Sequence, residues 1–134
     1  MTKRDLRLGT GAGFSADRLD PALDLAERGA LDYLIFECVG ERTLAFGHRD
    51  RLADPNQGFN PWLERRLRAI AGICKRNGTR IVPNMGVANP IAAAHAAIAV
   101  ARECGFADYR VAGVTGDDVT QALDGQTQLI EGMT

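Results

Sequence analysis

Residues 31–39, LDYLIFECV, decide how this chain is read. Aromatic and branched side chains follow one another from about Tyr33 to Val39, as in a short buried strand. Working back from it, Asp20-Pro21 marks a helix start, with Asp as the cap and Pro as the first helical residue. Leu23, Ala26 and Ala30 then lie on one side of a helix that stops near Gly29. Leu6–Thr10 opens an apolar run that ends in glycines, which suits a short buried strand running into a loop.

Working forward, RTLAFGHRDRL is compatible with a helix, since Leu44 and His48 stand four apart, before the breaker cluster DPNQGFNP. Asn60-Pro61 opens a further helix, in which Leu63, Leu67, Ile70 and Cys74 form one apolar stripe. Arg65, Arg66, Arg68, Lys75 and Arg76 are assigned mostly to the other side. Asn77-Gly78 ends it, and TRIVPNMG reads as a third strand. Asn89-Pro90 opens the alanine-rich helix PIAAAHAAIAVAREC, which Gly105 ends. YRVAGVTGDD is expected to be a fourth strand and VTQALDG a last short helix. Strands separated by helices call for right-handed crossovers and a parallel sheet. The expected fold is therefore α/β: an open, mostly parallel sheet with helices on both faces, doubly wound in the Rossmann or flavodoxin manner. A half-barrel is the alternative, because closure is not written in a sequence.

The 134 residues fit one α/β domain over positions 1–134. With 46% hydrophobic and 25% charged residues, the chain is globular rather than disordered. The formal net charge of −1 recruits neither nucleic acid nor an anionic membrane. The basic run RLRAIAGICKR lacks the interleaved aromatics of a nucleic-acid surface. Cys38, Cys74 and Cys104 are odd in number and widely spaced, which indicates neither a disulfide framework nor a zinc site. With no apolar leader at the start and no apolar run of the ~18 residues a spanning helix needs, the expected compartment is the cytoplasm.

Ligands of open parallel sheets bind beyond the carboxyl ends of the strands, near a reversal of strand order. All four expected ends here are glycine plus polar residues: GTGAGFS, ECVGERT, PNMGVANP and TGDD. Gly9, Gly11 and Gly13 alternate, so GTGAG has GxGxG spacing rather than the GxGxxG of a dinucleotide fingerprint. Three readings stay open for it: a weak nicotinamide site, a nest of N–H groups for a phosphate or carboxylate, or a turn that lets strand and helix pack. Ser15, the sole serine, follows within reach of an anion but lacks the GxSxG elbow. Glu37 lies in an apolar run, where a carboxylate must be paired, protonated or used. Glu41 and Arg42 follow it; a structural Glu–Arg pair is the competing reading. Asn84 and Asn89 flank Met85-Gly86 as uncharged donors and acceptors, Asn89 doubling as a helix cap. Asp117-Asp118 suit either a cation or the start of a helix. His48 and His95 have no serine or cysteine set beside them for a nucleophile–base dyad.

Three blocks together, RLGTGAGFSADRLDPALDLAERGALDYLIFECVGERTLA, RLADPNQGFNPWLERRLRAI and RIVPNMGVANPIAAA, resemble the acyclic terpene utilisation AtuA family. The resemblance runs over about residues 6–118 and includes Gly9, Thr10, Gly11, Gly13, Phe14, Ser15, Asp17 and Arg18 in its first block. Glu37, Glu41, Arg42 and Thr43 belong to the second, and Asn84, Gly86, Asn89 and Pro90 to the third. It implies a place in the breakdown of citronellol- and geraniol-like branched isoprenoids as acyl-CoA thioesters. Family members are several times longer, so the chain is expected to be the N-terminal part of a longer protein. The expected function is acid/base chemistry, of hydratase or lyase type, on an acyl-CoA or carboxylic acid. Glu37 and Glu41 are the expected catalytic groups. Gly9, Thr10, Gly11, Gly13, Phe14, Ser15, Arg42, Asn84, Gly86 and Asn89 would bind ligand, with no metal. The alternative is a non-catalytic module that binds a nucleotide or CoA beside a partner chain. A small-molecule substrate and a homo-oligomer, or a partner supplying the missing C-terminal region, complete the expectation.

Overall fold

The computed structural model describes residues 4–119 and Ala122. The apolar run of 31–39 becomes the middle strand of a three-stranded parallel sheet: β1 (Leu8–Ala12), β2 (Tyr33–Phe36) and β3 (Arg80–Pro83), in the order β1-β2-β3. Gly9 stands beside Leu34 and Leu34 beside Ile81; one step on, Thr10, Ile35 and Val82 are aligned. The register slips at Gly11, because Ala12 and not Gly11 pairs with Phe36. Such a bulge re-aims the end of a strand.

Helices α1 (Asp20–Arg28), α2 (Glu41–Ala53), α3 (Leu63–Asn77) and α4 (Pro90–Glu103) fill the connections. α3 packs between α1 and α4, and α1 and α3 also touch the sheet. The expected stripe of Leu63, Leu67, Ile70 and Cys74 is buried there. Leu34, Phe36, Ile70, Met85 and Val100 are the largest enclosed side chains. Each large apolar group so buried contributes about 1.5–3 kcal/mol. Gly78, at φ 71°, ends α3 in the left-handed conformation that glycine adopts without a Cβ penalty. α2 stands outside this layer. Its sole buried residue is Gly47, where an added Cβ would come within 2.6 Å of Val87 Cγ1.

The open, parallel α/β sheet agrees with expectation. Some local expectations do not hold. Residues 109–118 form no strand, and Val114 is 85% exposed. β-propensity expresses fit to a neighbouring strand, and this segment has none: Gly113 lies against Pro90, Ile91 and Ala94 of α4 instead. The order β1-β2-β3 also contains no reversal, so the switch point expected beside the ligand is not among the described strands. Alternate strand residues also fare differently. Leu34 and Phe36 are enclosed by the helices, whereas Leu8, Thr10 and Val82 on the opposite face are exposed. The stretch from Leu6 to Thr10 is therefore not the buried strand expected: its apolar side chains lie on the face that the helices leave uncovered. Of the expected helix over 119–125, all but Val119 and Ala122 lie outside the described residues.

Candidate functional site at the carboxyl edge

Where a strand ends, its backbone and side-chain polar groups must find partners outside the ladder. Past β2, Glu37 and Asn84 supply them to each other. Glu37 Oε1 accepts from the Val39 N–H at 3.0 Å and from Asn84 Nδ2 at 3.0 Å. Asn84 Oδ1 in turn accepts from the Cys38 N–H at 2.7 Å. One asparagine at the end of β3 thereby holds both the chain leaving β2 and its carboxylate. Glu37 is exposed, which corrects the expectation that it is enclosed among apolar neighbours. The strand stops at Phe36, and strand alternation directs the next side chain away from the helices that cover Phe36.

Glu41 and Arg42 occupy the first turn of α2, both exposed. Among the described residues no ion pair joins Arg42 to Glu37 or Glu41. Gly40 caps the helix with Thr43, whose hydroxyl accepts from the Gly40 N–H at 2.7 Å.

The glycines of β1 are spacers. An added Cβ at Gly9 would lie 2.4 Å from Leu31 Cδ1, and at Gly11 2.7 Å from the Phe36 ring. None of Gly9, Gly11 and Gly13 has a positive φ, so the alternating backbone of an anion nest does not form there. The Gly13 N–H donates to Asp17 Oδ2 at 2.7 Å, closing the loop on itself. Thr10 and Phe14 are exposed. Ser15 Oγ accepts from Asn60 Nδ2 at 2.9 Å. Gly86 lets its loop fold onto Pro90, whose Cα would be 2.8 Å from an added Cβ. Asn89 is committed to structure: Oδ1 accepts from the Ala92 N–H, while Nδ2 donates to the Pro55 and Gln57 carbonyls at 2.8 and 2.7 Å. Asp118 is held by Arg51 Nη1 at 3.2 Å, which also donates to the Ala88 carbonyl.

Sequence reasoning missed Asn60 and Arg66. Asn60 is 2% exposed and links the Ser15 hydroxyl, the Trp62 N–H and, through its own N–H, the Met85 carbonyl. Arg66 is 3% exposed, not on the solvent side as expected. Its Nη2 donates to the Asp17 carbonyl at 2.8 Å and the Ser15 carbonyl at 3.4 Å. The signal was present, since position 66 lies three residues after Leu63 and four before Ile70, on the stripe itself. Cys38 sits between the two clusters. Burial pushes its thiol up; the Arg66 charge acts in the opposite direction, and Glu37 and Asp17 add to the rise. It is thus a neutral thiol near neutral pH, unsuited to nucleophilic attack.

Among the described residues no group of three or more His, Cys, Asp and Glu side chains is placed to hold a metal ion. No described helix is long and apolar enough to cross a membrane. The fold and its edge define an α/β protein whose polar residues gather where parallel strands give way to loops. Within that class, residues 6–132 match the family model described as acyclic terpene utilisation family protein AtuA, and the chain belongs to that family. No curated protein and no solved structure gave a match.

Proposed function

We propose that this AtuA-family chain serves acyclic terpene utilisation through acid/base chemistry, of hydratase or lyase type, on a branched acyl-CoA or carboxylic acid. The observation that carries the reading is the Glu37–Asn84 pair. A carboxylate at the tip of the central strand is oriented by two hydrogen bonds on one oxygen yet stays open to solvent. Proton transfer needs that combination of fixed geometry and access. In this reading Glu41 and Arg42, exposed in the first turn of α2, would meet the polar end of a substrate. Three free cysteines, Cys38, Cys74 and Cys104, support a reducing, cytoplasmic setting.

The test is Glu37→Gln, assayed with branched acyl-CoA substrates. The amide keeps the volume and can still accept from Asn84 and Val39, so circular dichroism and ligand binding should be retained. Turnover should fall ~10²–10⁴-fold, the usual worth of a positioned proton-transfer group. Full activity in Glu37→Gln overturns the assignment. Binding without turnover in the unaltered chain favours the alternative, a nucleotide- or CoA-binding module acting beside a partner.

A further inference from the structure

Arg66 carries a charge into the apolar stripe of α3, where it is 3% exposed. The stripe of α3 is otherwise Leu63, Leu67, Ile70, Ala71 and Cys74, and a methionine would fill the same space without carrying a charge into it. The guanidinium lies over the Phe36 ring at 5.5 Å and gives Nη2 to two main-chain carbonyls. Nη1 is enclosed and has no hydrogen-bond partner among the described residues. No carboxylate among the described residues pairs with it. Asp17, whose main-chain carbonyl Arg66 engages, directs its carboxylate to the Gly13 N–H. Buried charge and a buried unused donor are both unfavourable unless something of opposite character meets them.

A cavity of about 160 Å³ lies beside Arg66, which lines it together with Asp17, Arg18, Trp62 and Arg65 among others. Arg65 lies over the Trp62 ring at 5.0 Å, and among the described residues Arg18 is engaged by Asp20, with 3.0 Å from Nε to Oδ1. Three guanidinium groups therefore border a space large enough for several waters. A planar guanidinium presents paired N–H groups that match the oxygens of a carboxylate or phosphate. We propose that this cavity is an oxyanion-binding site, with Arg66 as its buried anchor and Arg65 and Arg18 at its rim, taking a phosphate or carboxylate group of a small ligand. It is built from α3 and the loop entering α1, and it does not depend on Glu37 acting in proton transfer.

Trp62 is the sole tryptophan of the chain and lines this cavity, so the emission comes from one indole at the proposed site. Inorganic phosphate and acetate are titrated separately against the whole chain, with sodium chloride holding ionic strength constant. A saturable change in Trp62 emission is expected with at least one of them, and which of the two is bound tighter distinguishes a phosphate-bearing from a carboxylate-bearing ligand. Arg66→Met should abolish the saturable change while circular dichroism stays unaltered. Arg65→Gln, a surface change, should weaken the apparent affinity several-fold and serves as the deciding variant if Arg66→Met does not fold. Absence of any saturable change in the unaltered chain, or an unaltered titration in folded Arg66→Met or in Arg65→Gln, overturns the proposal.

Discussion

At Gly11 a single added methyl would stand 2.7 Å from the Phe36 ring, whereas at Gly13 the nearest group would be Asp17 Oδ2 at 3.9 Å. Two glycines that look alike in GTGAG are therefore not equivalent. Gly11→Ala drives a Cβ into an enclosed aromatic ring and should cost about 1–3 kcal/mol, the usual penalty of overpacking. Gly13→Ala meets open space at an ordinary φ and should stay within about 0.5 kcal/mol of the parent. Urea denaturation of both variants checks this; equal losses would show that spacing against Phe36 is not what Gly11 provides. Arg66 teaches the complementary lesson. Residue type suggested solvent, but helical position placed it in the core, and position prevailed because its long stem can run along apolar surface to reach the carbonyls of Ser15 and Asp17.

Between elements, asparagines do much of the joining. Asn89 caps α4 with one end of its amide and ties residues 55 and 57 with the other. Asn89→Ala should therefore lose the cap, worth about 1 kcal/mol, and leave two carbonyls without their donor. Asn89→Asp keeps the cap acceptor but not the donor, so its loss should also exceed that of a cap alone. Chemical denaturation of the pair measures the two contributions; full stability in Asn89→Ala would contradict them. Asn84 joins β2 to β3 in a related way, and Val87 in the same loop holds φ 50°, unfavourable for a β-branched residue. The strain persists because Val87 packs on Gly47 while the loop is pinned by hydrogen bonds to Gly58 and Asn84.

For the whole molecule, burial of ionisable groups sets the response to alkali. Burial pushes the Cys38 and Cys74 thiols and the Tyr109 phenol above their ordinary values. In the unfolded chain these groups lose their protons as pH rises through about 8.5 to 10, while the folded chain still holds them. The unfolded state then binds fewer protons, so stability falls with rising pH across that window and is undiminished below it. Each thiol contributes at most about 1.4 kcal/mol per pH unit. Denaturation midpoints measured from pH 7 to 10.5 should decline, and Cys74→Ala should flatten the decline although it lowers stability at pH 7. A midpoint independent of pH over this range would contradict the burial argument.

Periodicity and breaker signals were enough to place β1, β2, β3, α1, α3 and α4, because apolar spacing and signals such as Asn77-Gly78 and Asn89-Pro90 act through local backbone chemistry. Residues 41–53 were only compatible with a helix, and at α1 the cap is Leu19, with Asp20 already inside the helix rather than capping it. The polar carboxyl edge was legible for the same reason, since each strand's exit is contiguous in sequence. Local chemistry could not decide residues 109–118, whose β-branched pattern becomes a strand only if a neighbour accepts it, and here α4 receives the segment instead. Nor could it foresee that Glu37 would meet Asn84, 47 positions away, or that Asn60 would reach Ser15 across 45. Those pairings arise only when β2 and β3 align and α3 closes over the loop leaving β1. Segments carry their own conformational signals, whereas contacts between distant segments depend on how the whole chain packs, and at this edge such contacts orient Glu37 and Ser15.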